Sequence, residues 1–467
     1  SEHTIQIELE GLITLLAQNL YADPDVFLRE MIQNAHDSIV KRAELCREAG
    51  AAPPPPGVIR IVPDPAARVL RISDNGSGLS ADEIHKYLST IGRSGTRELK
   101  QRLAERDRRS AVELIGQFGI GLLSTFIVAQ KVEVLTRAEG GAALLWQSGG
   151  GPTYQVSAAE REAVGTTVIL HLAPEHARYL ETQRLQRIVR TYADFIGLPV
   201  LCGDETAPAN AVHAPWHRDY PDERTRREAY HAYWEGRFPE ETSLDVLPID
   251  RVFRYPDPRN PERQLEGRLR GVLGITDRHV PDVNTRGTVD LYIARMFIAS
   301  ASRDVLPPWA RFIQGVIECG ALTPNAARDN VVRNEALAAA QECLGQAIIE
   351  HLTALSQKDR PRFVDIMRWH AYHVLAMCVQ DEHERFFRAV ADIVPLRTNE
   401  GPMTLQDYLR KAPRLPGGQA MVYYITEHGS ENQFYLLCSA RSLLVFSAAE
   451  HFADRFLERY ARTWPER

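Results

Sequence analysis

Asp25-Val-Phe-Leu-Arg-Glu-Met-Ile-Gln-Asn-Ala-His-Asp-Ser-Ile-Val-Lys-Arg42 is the stretch on which the reading of this chain turns. Val26, Phe27, Met31, Ile32, Ala35 and Ile39 recur at helical spacing, which predicts a helix with one apolar face turned inward. Glu30, Asn34, Asp37 and Lys41 follow at steps of four, three and four, so they line up as a second, polar stripe. Such a stripe suits a salt-bridged surface as well as a site, and taken alone it leaves both open. Two later segments tip the balance, Asp74-Asn-Gly-Ser-Gly78 and Gly116-Gln-Phe-Gly-Ile-Gly121. A carboxylate, an amide and two glycine-rich turns in this order are the parts of a nucleotide pocket. At the start of the helix, Asp23 is predicted as the cap and Pro24 as the first helical residue.

Around this stretch, residues 5–20 read as an extended arm running into a short apolar helix. Ala51-Ala-Pro-Pro-Pro-Pro-Gly57 excludes helix and predicts a stiff, exposed connection. Val58–Val62 and Arg68–Ser73 read as paired strands with a turn at Pro63-Asp-Pro65. Asp74 then stands at a strand end, where its carboxylate can accept a hydrogen bond from an exocyclic amine, and the glycines allow close backbone approach to a ligand. The alternative is a plain Asp-Gly hairpin. The next segment, Ser80 to Leu88, weakens it, because Ser80 and Glu83 predict a capping box and hence strand–turn–helix. Residues 89–115 are polar and irregular, the composition of a solvated face or of a mobile lid.

Gly116–Gly121 precedes an expected apolar helix, Leu122 to Val128, whose first N–H groups suit a phosphate. The spacing is neither that of a dinucleotide fingerprint nor that of a Walker loop. Strands are expected at 131–136, 142–146 and 165–172. Ala207–Pro215 reads as an interdomain linker. Beyond it, residues 223–238, 308–318, 334–356 and 361–395 are predicted helices. Residues 268–275, 288–298, 421–425 and 442–446 are predicted strands.

Length and composition bound the possibilities. A chain of 467 residues is too long for a single core. Its 44% hydrophobic and 25% charged content is that of an ordinary globular protein. The net charge of −6 gives no basic surplus for collecting nucleic-acid phosphates. Six scattered cysteines without a CxxC pair suit reduced thiols and a cytoplasmic setting better than a disulfide framework or a zinc site. No apolar run of about 18 residues is present, so neither a membrane span nor a membrane partner is expected.

Taken together, Phe27–Asp37, Asp74–Gly78, Thr90-Ile-Gly-Arg-Ser-Gly-Thr96, Leu114–Gly121 and Gly165-Thr166 resemble the N-terminal GHKL (Bergerat) ATPase domain of the heat shock protein 90 chaperones, in order and spacing. Tyr292-Ile-Ala-Arg-Met-Phe-Ile298, Arg311–Glu318 and Leu322-Thr-Pro-Asn-Ala-Ala-Arg328 are similar to the family's middle domain. The resemblance implies an α/β (α+β) protein. An ATP-binding sandwich would span 1–205, with a lid at about 89–121. A linker at 206–216 would lead to a middle domain at 217–467, made of a large α/β part (217–345), a helical part (346–392) and a small α/β part (393–467). It implies ATP and Mg2+ as cofactors, unfolded or partly folded client proteins as partners, and a homodimer in the family. The chain stops at Arg467, so the family's C-terminal dimerisation domain is not expected within it.

By the same resemblance, Glu30 is the general base and Asn34 the magnesium ligand. Asp37 and Lys41 lie toward the ribose and phosphates, and Asp74 meets the adenine amine with Thr166 in its network. Gly76 and Gly78 let the backbone pass under the base, and Leu79 stands where the family usually has methionine. Ser94, Gly95, Gly116, Gln117, Phe118, Gly119, Ile120 and Gly121 belong to the lid and its phosphate-contacting end. Arg328, about 300 residues beyond Glu30, matches the arginine that reaches the γ-phosphate, so hydrolysis is expected to report a conformational closure. The chain departs from the family pattern at Ala327 (usually serine) and Val332 (usually glutamine). The loop 279–286 also lacks the family's frequent aromatic residue. Two alternatives remain at this stage. One is a chaperone-like module that binds ATP and hydrolyses it slowly or not at all. The other is a different GHKL ATPase of DNA-repair, topoisomerase or histidine-kinase type.

Overall fold

The structure, a computed structural model, describes residues 24–88, 121–151, 153–277, 285–293, 295–325, 330–381, 384–426, 431–448 and 452–467. The expectations for residues 5–20, for the cap at Asp23 and for most of the lid lie outside them. Backbone contacts divide the chain into two compact units. One is Ser1–Asp219 with Leu291–Ala299 and Glu318–Val332, and the other is Tyr220–Asp290 with Ser300–Ile317 and Arg333–Arg467.

The opening helix, α1, spans Val26–Glu48, longer than the stretch that predicts it. Asp25 sits at its N-cap, so Pro24, expected as the first helical residue, precedes the helix, and no side chain caps it. The Asp25 carboxylate is engaged elsewhere, accepting bonds from the Tyr179 hydroxyl and the Arg184 guanidinium, each at 2.7 Å. Long-range pairing has replaced the local cap. The apolar face of α1 does what its spacing predicts: Phe27, Leu28, Met31, Ile32, Ala35 and Ile39 are buried. They join Ile59, Ile61, Leu70, Ile72, Val132, Val134 and Leu170 in one core, with Phe27 edge-on to Tyr179 at 5.0 Å between ring centres.

That core lies against a seven-stranded sheet. Its strands are β1 (Ile59–Asp64), β2 (Val69–Asp74), β3 (Ala129–Arg137), β4 (Leu144–Ser148), β5 (Gln155–Ala158), β6 (Gly165–Leu172) and β7 (Val200–Cys202). The order is β5-β4-β3-β6-β2-β1-β7. All neighbours run antiparallel except β1 and β7, which are parallel, so the sheet is mixed. Along β3, Val132, Val134 and Thr136 are buried while Lys131, Glu133 and Leu135 are partly exposed, the alternation of a one-sided sheet. Helix α2 (Thr182–Tyr192) adds Leu185, Ile188 and Val189 to the same core.

Several local expectations are corrected. Pro63 and Asp64 belong to β1, and the turn falls on the following residues. The Ser80–Glu83 capping box is present, but only Ala81–Glu83 is α-helical and Ile84–Leu88 widens into a π-turn. Gly121–Ile127 is a 3-10 helix, tightened where the Ser124 and Thr125 hydroxyls bond back to the Gly121 and Leu122 carbonyls at 2.6 Å. The segment 207–215, expected as a linker, is held by side-chain bonds. The buried Asn210 side chain bonds to Val200 N–H and to the Ala193 and Leu198 carbonyls, and Trp216 beyond it is buried.

A second sheet has the order β11-β10-β12-β9-β8, with β8 Ser243–Asp257, β9 Asn260–Thr276, β10 Thr288–Ile293, β11 Met296–Ser302 and β12 Ile313–Cys319. Residues 308–318 were expected to be helix but end in β12, the middle strand. Its run Ile313-Gln-Gly-Val-Ile-Glu-Cys319 is mostly buried and rich in β-branched residues, and a short, mostly buried strand has no clear periodicity to separate it from a helix. The single strand expected over 288–298 is divided into β10 and β11 near Arg295, which has φ +66°.

In the second unit, α3 (Glu223–Arg237) anchors Trp234, whose indole N–H donates to the Gln314 carbonyl at 3.0 Å. Helices α4 (Glu335–Lys358), α5 (Arg360–Gln380) and α6 (Arg385–Val390) follow. A four-stranded sheet, β14-β13-β16-β15, comprises β13 Pro395–Thr398, β14 Gly401–Thr404, β15 Tyr424–Ile425 and β16 Phe446–Ser447. Helices α7 (Leu405–Lys411), α8 (Glu431–Ala440) and α9 (Ala453–Thr463) complete this part.

Candidate functional site

Two clusters stand on α1, eight residues apart. The first is at Glu30 and Asn34. Glu30 is buried and its Oε1 accepts from the Arg29 guanidinium at 3.2 Å, while Arg29 also lies over the Tyr192 ring at 5.8 Å. Asn34, one turn on, is exposed. Gly121 closes over both. A Cβ at Gly121 would stand 2.8 Å from Glu30 Oε2 and 3.6 Å from Asn34 Nδ2. The lack of a side chain at Gly121 lets the start of the 3-10 helix lie close to the carboxylate without displacing it, and in ordinary contact range of the amide.

The second cluster is at the end of β2. Asp74 is 8% exposed, and its Oδ1 accepts from the Ser38 hydroxyl at 3.1 Å and from Gly76 N–H at 2.8 Å. Burial pushes the Asp74 carboxyl up to about 6, against the pull of Gly76 N–H, Ser38, Arg161 and the Thr166 backbone. Ser38 also carries the backbone contact, since its carbonyl accepts from Ser77 N–H at 2.9 Å. A Cβ at Gly76 would come within 2.2 Å of Ser38 Oγ. Gly78 has φ +63°, and Leu79, next to it, donates its N–H to Thr136 Oγ1 at 2.9 Å.

Three adjacent strands then continue this edge. Asp74 is the register partner of Thr166, and Thr166 of Thr136. The two threonine hydroxyls lie 3.1 Å apart. Thr166 thus stands beside Asp74 across the strands, while its hydroxyl is engaged with Thr136. Arg161 donates to Thr167 Oγ1 at 2.7 Å and to the Asp74 carbonyl at 3.4 Å.

The remaining predicted residues are placed as follows. Asp37 is buried and bonds His36 Nδ1 at 3.2 Å. Lys41 pairs with Glu83 Oε1 at 2.5 Å, tying α1 to the turn after Asp74. Ser94, Gly95, Gly116, Gln117, Phe118, Gly119, Ile120 and Arg328 lie outside the described residues. Ser38, Thr136 and Arg161 were not singled out from the sequence. Ser38 continues the series Glu30, Asn34 at steps of four, so spacing alone could have found it. Thr136 depends on strand register and had no local signal.

Comparison with known proteins puts this geometry in a lineage. A profile described as "Histidine kinase-, DNA gyrase B-, and HSP90-like ATPase" matches residues 23–150, the segment that carries α1, Asp74 and Gly121. A second, described as "Hsp90 protein", matches residues 277–434. A "Chaperone protein HtpG" of Cupriavidus metallidurans is 32% identical over 91% of this chain and 69% of its own length. The chain belongs to the heat shock protein 90 family. Chaperone proteins HtpG of Bordetella parapertussis (32% identical) and Halorhodospira halophila (30%) are each matched over 90% of this chain and 68% of their own lengths. The function is accordingly that of an ATP-dependent chaperone of the heat shock protein 90 type, with an ATPase site of the GHKL class. Membership in this family sets aside the DNA-repair and topoisomerase alternatives. Among the described residues, no helix is long and apolar enough to cross a membrane.

Proposed function

We propose that the two clusters on α1 are the two ends of one ATP site, with Asp74 receiving the adenine amine and Glu30 activating water at the phosphate end. Eight residues of helix separate Glu30 from Ser38, about 12 Å along the axis, a span suited to a nucleotide lying from base to phosphates. The observation that carries this reading is the approach of Gly121 to both Glu30 and Asn34. It leaves a carboxylate and an amide side by side under a backbone that begins a helix, where N–H groups attract phosphate. Glu30 would hold the proton taken from the attacking water. Asn34 fits a magnesium ion bound mainly through substrate phosphates. The described residues contain no group of three or more His, Cys, Asp or Glu side chains that could hold a metal, and magnesium commonly takes one or two protein ligands and fills its shell with phosphate and water. That ion, when bound, supplies charge neutralisation on the β- and γ-phosphates. Asp37 and Lys41 support the ribose side, and Gly76, Gly78 and Leu79 line the base.

On this reading the ATP-binding domain is 1–205 and its lid is near 89–121, with Ser94, Gly95 and Gly116–Gly121 meeting the phosphates. The linker is 206–216 and the middle domain 217–467, which supplies Arg328 to the γ-phosphate. Hydrolysis by this chain alone is slow, the setting is the cytoplasm, and the partners are unfolded or partly folded proteins. A second reading, ATP binding with no turnover, is favoured by the exposed Val332 at a position where a glutamine is usual in the family. Magnesium-dependent ATP turnover by the chain and by Glu30→Ala separates the two. The proposal expects slow turnover that Glu30→Ala abolishes while nucleotide affinity stays within a few-fold. No turnover in the parent would favour the second reading, and turnover surviving Glu30→Ala would remove Glu30 as the base.

A further inference from the structure

We propose that Ser38 is a positioning residue for base recognition: its hydroxyl holds the Asp74 carboxylate by Oδ1, so that Oδ2 is the oxygen presented to an exocyclic amine. The inference rests on the reading of Asp74 as the adenine acceptor. Three observations on the α1–β2 junction converge on Ser38. Its Oγ donates to Asp74 Oδ1 at 3.1 Å. Gly76 N–H reaches the same oxygen at 2.8 Å, so both of these donors lie on Oδ1, and the Thr166 backbone is a further polar group that pulls on the carboxyl. The Ser38 carbonyl accepts from Ser77 N–H at 2.9 Å, and Gly76 lies so close to Ser38 that even a methyl group would collide with it.

The hydroxyl therefore cannot move independently of the turn that carries the carboxylate. A carboxylate fixed at one oxygen by two donors has lost its rotational freedom about χ2 before ligand arrives, which lowers the ordering cost of binding. The Ser38 hydrogen bond also favours the charged, accepting form of a group that burial disfavours. Among the described residues, few charged groups lie around it. Arg161, ahead of β6, acts directly on the Asp74 carboxylate. Arg42 on α1 is engaged with the Asn75 carbonyl and with Glu139. Asp37 on α1 is bonded to His36.

The test is ADP affinity by calorimetry between pH 6 and pH 8 for the full chain, Ser38→Ala and Asp74→Asn. ADP's own phosphate titration is common to all three proteins, so the ratios of affinities isolate the protein groups. Ser38→Ala is expected to bind a few-fold more weakly at pH 8. That deficit should grow by roughly another fivefold at pH 6, the effect of about one unit of carboxyl pKa. Asp74→Asn is expected to bind weakly at every pH. Thermal melting without nucleotide establishes that each variant is folded. An unchanged affinity for Ser38→Ala, or a deficit constant with pH, overturns the positioning role even if Asp74→Asn loses binding. Full affinity in Asp74→Asn instead overturns the adenine reading itself.

Discussion

Asp74 is a buried carboxyl at the end of a strand, and its chemistry is set by where it sits. Desolvation raises it from 3.8 to about 6, while Gly76 N–H, Ser38 and Arg161 hold it partly back. The consequence for stability has a definite sign. Between about pH 4 and 6 the folded chain keeps a proton that the unfolded chain has released. Folding is therefore favoured at low pH and loses that contribution as pH rises through about 6. Asp74→Asn removes the titration. The variant should match the parent near pH 4 and exceed it near pH 7 by up to about 3 kcal/mol, the equivalent of two pKa units. Urea unfolding at the two pH values checks it, and a gap that does not widen with pH would show that the carboxyl is not destabilised by burial. A stability gain on removing a polar group marks a side chain kept for its chemistry.

Helix α1 joins the core to the site by having two faces. Phe27, Met31, Ile32, Ala35 and Ile39 bury one face, and Glu30, Asn34 and Ser38 stand at steps of four along another. The junction with β2 depends on Gly76, where a methyl group would come within 2.2 Å of Ser38 Oγ and 2.5 Å of Ser38 C. Gly76→Ala should push α1 and the turn apart. It should cost about 1–3 kcal/mol of stability, as overpacking does, and weaken nucleotide binding. Normal melting and normal ADP affinity would show that the contact is slack.

This helix was legible because its periodicity is local: the apolar face, the polar stripe and the strand–turn–helix after Asp74 can all be read from spacing. The seven-stranded order was not legible, nor was the alignment of Asp74, Thr166 and Thr136, because register joins residues far apart in sequence. β12 was mistaken for helix for a related reason. Ile313–Cys319 is mostly buried within a sheet and carries no clear alternation to distinguish it. Pro24, expected to open the helix, lies before it, and the N-cap falls on Asp25, whose carboxylate is taken by Tyr179 and Arg184.

Across the whole chain, the residues proposed for chemistry come from two segments far apart in sequence. Glu30, Asn34 and Asp74 precede Gly121, whereas Arg328 lies in the segment matched as Hsp90 protein. If Arg328 serves the γ-phosphate, Arg328→Ala should slow ATP turnover tenfold or more, the lower end of what transition-state charge stabilisation supplies. ADP affinity and melting temperature should stay unchanged. A parallel loss of affinity and stability would assign Arg328 to the fold. The proposed ATP site depends first on whether Asp74, at the junction of α1 and β2, receives the adenine amine. Calorimetric titration of ATP into the full chain and into Asp74→Asn tests that most directly. Saturable 1:1 binding to the parent, weakened at least tenfold in Asp74→Asn by loss of a buried hydrogen-bonding partner, is the predicted result; equal affinity in the two proteins would contradict it.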